Sequence, residues 1–169
     1  GKSDMAKAAG NEADIWCVSY DIGATRGSLV GETGAMTRRA LSKINALGQD
    51  RVFWIATSNS TTSLPPEFRR RFSYGTWFFD LPTDEARQAI WKLYTERFKV
   101  AMGNVRDDGW TGAEIKTCCS MASDMSITVE EASAYISPVA RSSWETIQQQ
   151  RSLASGRFIC ASKGGFYQQ

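Results

Sequence analysis

Apolar residues gather first at strand spacing and later at helical spacing along this chain. Residues 15–20 (IWCVSY) and 51–57 (RVFWIAT) are short aromatic and β-branched runs, and each predicts a buried strand. A third run, residues 76–81 (TWFFDL), predicts another and stops at Pro82. Between them the pattern changes to a period near 3.6. Residues 3–10 (SDMAKAAG) predict a helix stopping at Gly10, and residues 35–47 place Met36, Ala40, Leu41, Ile44 and Leu47 on one face, with Gly48 as the stop. Pro65-Pro66 opens a short arginine-rich helix. Thr83 is placed to cap a helix whose first turn holds Asp84 and Glu85, with Ala86, Ile90, Leu93, Tyr94 and Phe98 as its apolar stripe.

Strands alternating with helices predict a parallel α/β sheet over the first hundred residues. After residue 101 the reading is helical, with capping boxes at Thr111/Glu114 and Thr128/Glu131 and one short strand-like run at 157–161. A boundary near 101–104 follows, dividing an α/β part, 1–101, from a helical part, 102–169.

Composition narrows the chemistry. The 169 residues carry 20 Lys+Arg against 18 Asp+Glu, a net charge of +2, which gives no signal for a nucleic-acid partner. Without a single histidine, Ser-His-Asp and Cys-His catalysis and imidazole zinc sites are excluded. The four cysteines contain no C-x-x-C pair, and Cys118-Cys119 are adjacent, so they read as reduced, buried thiols of a cytoplasmic protein. The longest apolar run, residues 52–56, is far too short to span a membrane, so no membrane partner is expected.

Four segments carry candidate chemistry. Gly1-Lys2-Ser3 opens an alanine-containing helix and matches the end of G-x-x-x-x-G-K-[ST], in which a helix N-terminus and the Lys cradle phosphates and the hydroxyl binds Mg²⁺. Asn59 sits in a polar tip, ATSN, beyond a buried strand, where ligands of open α/β sheets bind. Arg69-Arg70-Arg71 follows Leu64-Pro65-Pro66-Glu67-Phe68, either a solvated cluster or a set of fingers offered to a neighbouring subunit's phosphates. GWTGAEIK (109–116) begins a well-capped helix.

In this order, over roughly residues 1–125, these segments resemble the AAA+ ATPases, especially their phage-type and their protease- and segregase-type members. GKS is similar to the end of Walker A, ATSN to the sensor-1 strand, and LPPEFRRRF to the arginine-finger segment. FFDLPTDEARQAIW resembles the last sheet strand and the helix leading into the lid, and GWTGAEIK the start of a lid helix. The resemblance implies a P-loop NTPase-like parallel sheet flanked by helices, incomplete here, followed by a small all-helical lid. It also implies an ATPase that couples ATP hydrolysis to remodelling of protein substrates, with ATP and Mg²⁺ as cofactors and a homo-oligomeric ring, a hexamer, as the assembly. By the same resemblance Gly1, Lys2 and Ser3 hold the phosphates and Ser3 the Mg²⁺. Asn59 acts as sensor 1, one or two of Arg69, Arg70 and Arg71 as fingers in trans, and Gly112 and Ala113 approach the adenine. Leu29, Val30 and Gly31 stand in the place of a pore loop that grips polypeptide.

Two parts of the family pattern are missing. The first five positions of Walker A would lie before residue 1, which reads as truncation. Between residues 47 and 51, where the family has a strand ending in Asp-Glu, only Gly48-Gln49-Asp50 stand. Those acids position the metal and polarise water, so their loss predicts impaired hydrolysis. The alternatives are a non-hydrolysing pseudo-ATPase or a helical interaction and scaffold module. Loss of the strand between them also predicts that the runs near Trp16 and Trp54 pair directly or expose apolar edges.

Overall fold

In the computed structural model, which describes residues 1–14, 16–21, 42, 52–59 and 72–169, the first helix, α1, spans Lys2–Ala13. Gly1 is its N-cap, and Met5 N–H donates to Gly1 O at 2.8 Å to close the first turn. Ala6 and Gly10, one turn apart, form its buried face. Gly10 is therefore interior to the helix, a small residue on its packing side, and not the expected stop. The helix ends at Asp14 in the left-handed region (φ 48°). Strands β1 (Trp16–Asp21) and β2 (Val52–Thr57) pair in parallel through six residues, from Trp16 opposite Val52 to Asp21 opposite Thr57. The two apolar runs thus pair directly with each other, and α1 packs on both. The predicted helices over 35–47 and after Pro65-Pro66 lie outside the described residues.

The chain divides into two compact units, Gly1–Thr76 and Trp77–Gln169. The second contains β3 (Trp77–Phe78), α2 (Asp84–Phe98), α3 (Gly112–Met125), α4 (Val129–Ser133), α5 (Val139–Ser142), α6 (Trp144–Ala154) and β4 (Ile159–Cys160). Its first buried cluster lies where α2 and α4 pack on α3, and comprises Trp91, Trp110, Ile115, Cys118, Cys119, Ala122, Val129 and Ala132. Its second joins Phe78, Ala154, Phe158, Cys160 and Tyr167. The boundary expected at 101–102 falls between α2 and α3, within this unit.

The expected α/β architecture, a P-loop NTPase-like parallel sheet flanked by helices with a helical lid behind it, does not form. The described residues are mostly helical, and their strands make two separate two-stranded parallel sheets, β1-β2 and β3-β4. The run at 76–81 contributes only Trp77–Phe78, and these pair with Ile159 and Cys160 of their own unit. The ladder stops there: Asp80 turns its carboxylate back to accept from Leu81 N–H at 2.8 Å, and Pro82 removes the next donor. On α2 the expected stripe holds at Ile90, Tyr94 and Phe98, which pack against the first cluster, but not at Leu93, which is 59% exposed. Trp91 is the buried residue instead, and its indole N–H finds Asp107 inside the fold.

Candidate functional site

Lys2 and Ser3 occupy the first turn of α1, directly after the Gly1 cap. Gly1 makes no side-chain cap, and a Cβ built on it would meet nothing within 4 Å. The backbone N–H groups of this turn have no partners within the helix and favour an anion. Lys2 is half-buried and Ser3 exposed. Asp4 in the same turn complements the helix dipole and competes with an incoming phosphate. Asn59 lies two residues beyond the end of β2 and is exposed. Only Asp14 and Ile15 separate α1 from β1 in the sequence, and α1 packs on both strands.

The donor set fits a phosphate chain: one ammonium, a hydroxyl and open backbone N–H groups. For Mg²⁺ it offers a single side-chain ligand, Ser3, which fits that ion only with phosphate and water oxygens completing the shell. Among the described residues no cluster of three or more Cys, Asp or Glu could hold a metal alone.

Gly112 and Ala113 open α3, in the other unit from Lys2. Gly112 is half-buried against Ile90, whose side chain lies 3.5 Å from where a Cβ would sit, an ordinary contact, and Ala113 is exposed. Arg69, Arg70, Arg71, Leu29, Val30 and Gly31 lie outside the described residues.

Both capping boxes form. Glu131 accepts from Thr128 N–H at 2.8 Å, and the Thr128 backbone and hydroxyl hydrogen bonds hold its carboxyl below the usual range. Glu114 accepts from Thr111 N–H at 2.6 Å and from its hydroxyl at 2.9 Å, and its other oxygen accepts from Val139 N–H. A carboxylate only 8% exposed thus ties the start of α3 to the start of α5. Cys118, Cys119 and Cys160 are free and buried, and burial pushes the first two thiols up to about 11.

Two further polar networks have no local sequence signal. Asp107 accepts from the Trp91 indole at 2.8 Å and from Arg87 Nε at 3.2 Å, and Arg87 also bonds Asp84 at 2.9 Å. Asp80 accepts from Arg151 Nε at 2.9 Å and from the Tyr167 hydroxyl at 2.7 Å. Burial, reinforced by Asp80, raises the Tyr167 phenol to about 12. These groups are saturated by one another and brace the second unit. Among the described residues, no helix is long and apolar enough to cross a membrane. No protein-family model matches the chain.

Proposed function

We propose that this chain binds ATP·Mg²⁺ at the N-terminal turn of α1 as a cytoplasmic AAA+-type module acting on protein substrates, with hydrolysis impaired. The observation that carries the reading is that Lys2 and Ser3 head a helix that packs on a parallel strand pair, one strand of which is followed by Asn59. In this reading Lys2 neutralises the outer phosphates, Ser3 supplies one oxygen to Mg²⁺ and Asn59 contacts the γ-phosphate or its water. Bound ATP supplies the reactive phosphoanhydride. One or more of Arg69, Arg70 and Arg71 reach a neighbouring protomer in a homo-oligomeric ring, and Leu29, Val30 and Gly31 contact polypeptide. Impairment follows from the sequence, since no strand ending in Asp-Glu stands before residues 51–57. The reading rests on the residues and their order, since the larger sheet that the resemblance implied is not observed.

A helical interaction module is the second reading, favoured by Tyr135, Val139 and Trp144, which are large, apolar and about half or more exposed on one segment of the second unit. Titration with a fluorescent ATP analogue in Mg²⁺ separates the two. Saturable binding that falls at least about tenfold in Lys2→Ala, with turnover near background, is the expected outcome. Absence of binding leaves the interaction module, and turnover at ordinary ATPase rates removes the claim of impairment.

A further inference from the structure

The second unit contains a cleft of about 400 Å³ that none of the chemistry above uses. Its lining includes Asn104, Arg106, Glu130, Ile136, Arg141 and Trp110, the last only 3% exposed. Two arginines therefore belong to one small concave space. Elsewhere in this unit Arg87 is paired with Asp84 and Asp107, and Arg151 with Asp80. Arg106 and Arg141 make no ion pair among the described residues, and both are exposed.

The walls are also locked to each other. Gly109 has φ +74° and stands so close to α5 that an added Cβ would lie 2.9 Å from the Ala140 Cβ. The Glu114 carboxylate bonds both Thr111 N–H and Val139 N–H, fixing the start of α3 against the start of α5. Arg106 precedes the first contact by three residues and Arg141 follows the second by two. The cleft is thus preformed, which reduces the ordering cost of binding.

From this we propose that the cleft is a binding site for a phosphate monoester. Two guanidinium forks match the geometry and charge of a phosphate, which carries about −1.5 to −2 at neutral pH. The volume exceeds what a bare phosphate fills and falls in the range of small-ligand sites. The space beside Glu130 is suited to hydroxyl groups, which donate to its carboxylate, and the chemistry is that of a sugar phosphate.

Calorimetric titration of the full chain with ribose 5-phosphate, inorganic phosphate and ribose tests the assignment. Saturable binding of ribose 5-phosphate is expected, weakened at least about tenfold in Arg106→Gln and in Arg141→Gln, and unchanged in Lys2→Ala. Both glutamine variants alter exposed side chains and are expected to keep the wild-type circular dichroism. Inorganic phosphate binding as tightly as ribose 5-phosphate assigns free phosphate as the ligand, whereas tighter binding of the ester assigns the ester. No binding of either phosphate, binding that survives the double arginine variant, binding lost in Lys2→Ala, or ribose binding as well as its phosphate overturns the proposal.

Discussion

Tyr167 shows how much of the second unit rests on single polar atoms. Its ring packs edge-on against Phe78 at 4.6 Å and its hydroxyl donates to Asp80, whose oxygens are shared with Arg151. The phenolate is disfavoured by burial and by the Asp80 charge, so the folded-state pKa, about 12, lies above the unfolded value near 10. A group with a raised folded pKa contributes stability that is complete below pH 10 and lost as the pH rises through 12. Cys118 and Cys119, raised to about 11, act in the same direction but begin earlier, near pH 8.5. Tyr167→Phe should cost about 1 kcal/mol at pH 7 through the lost hydrogen bond. It should also flatten the fall in stability between pH 10 and 11.5 while leaving the thiol contribution below pH 10 intact. Urea midpoints for unfolding of the second unit at pH 8, 10 and 11.5 give the comparison, and parallel curves for variant and wild type would refute the assignment. Neither residue of the Asp80–Tyr167 pair advertises the other in the sequence, for they stand 87 positions apart. By contrast the helix start at Lys2 and Ser3 is legible locally, because the alanine-containing run follows them directly.

The same division between local and distant causes holds for the elements. Strands β1 and β2 were legible to within a residue because aromatic and β-branched residues crowd into short runs with polar ends. Both capping boxes were legible for a similar reason: the three-residue spacing contains the whole mechanism. What the sequence hid were the helix stops and the fate of the third strand. Helix α2 ends at Lys99 (φ 56°) and α3 at Ser126 (φ 53°), each with the paired bonds of a Schellman turn. Val100 N–H reaches Thr95 O at 3.1 Å in the first, and Ile127 N–H reaches Ala122 O at 3.1 Å in the second. Neither position is glycine, so the usual stop signal is absent, and packing of Val100 and Ile127 against the core holds the turn. A non-glycine residue pays for the left-handed region, partly offset by its smaller entropy loss on folding. Ser126→Gly is therefore expected to stabilise the second unit by about 0.5–1 kcal/mol. A urea midpoint that rises with unchanged slope supports this; one that falls shows that the serine side chain contributes more than the backbone strain removes. The third strand was misjudged because its partner, β4, lies some eighty residues downstream, and no window around Trp77 contains it.

At the scale of the whole molecule, the two units bury separate sets of residues, and this has a thermodynamic consequence. Residues 77–169 own two apolar clusters, three braced aspartates or glutamates and three capped helix starts. The described part of residues 1–76 consists of one helix, whose buried face is Ala6 and Gly10, on a two-stranded sheet. Scanning calorimetry of the intact chain should therefore show two transitions, one for Gly1–Thr76 and a second for Trp77–Gln169. A single transition whose calorimetric and van't Hoff enthalpies agree would rule out independent units. The proposed phosphate site lies in Gly1–Thr76, and a ligand stabilises only the species that binds it. At a free ATP·Mg²⁺ concentration of 100 times its Kd, the Gly1–Thr76 transition should gain about 2.7 kcal/mol and the second should stay where it was. Lys2→Ala, which removes the ammonium without disturbing either apolar cluster, should abolish that gain. If ATP moved the second transition instead, the phosphates would be held by the helical unit, and Lys2 would be only the first residue of a helix. Heat capacity traces with and without ATP·Mg²⁺, for wild type and the one variant, decide between these two placements of the nucleotide.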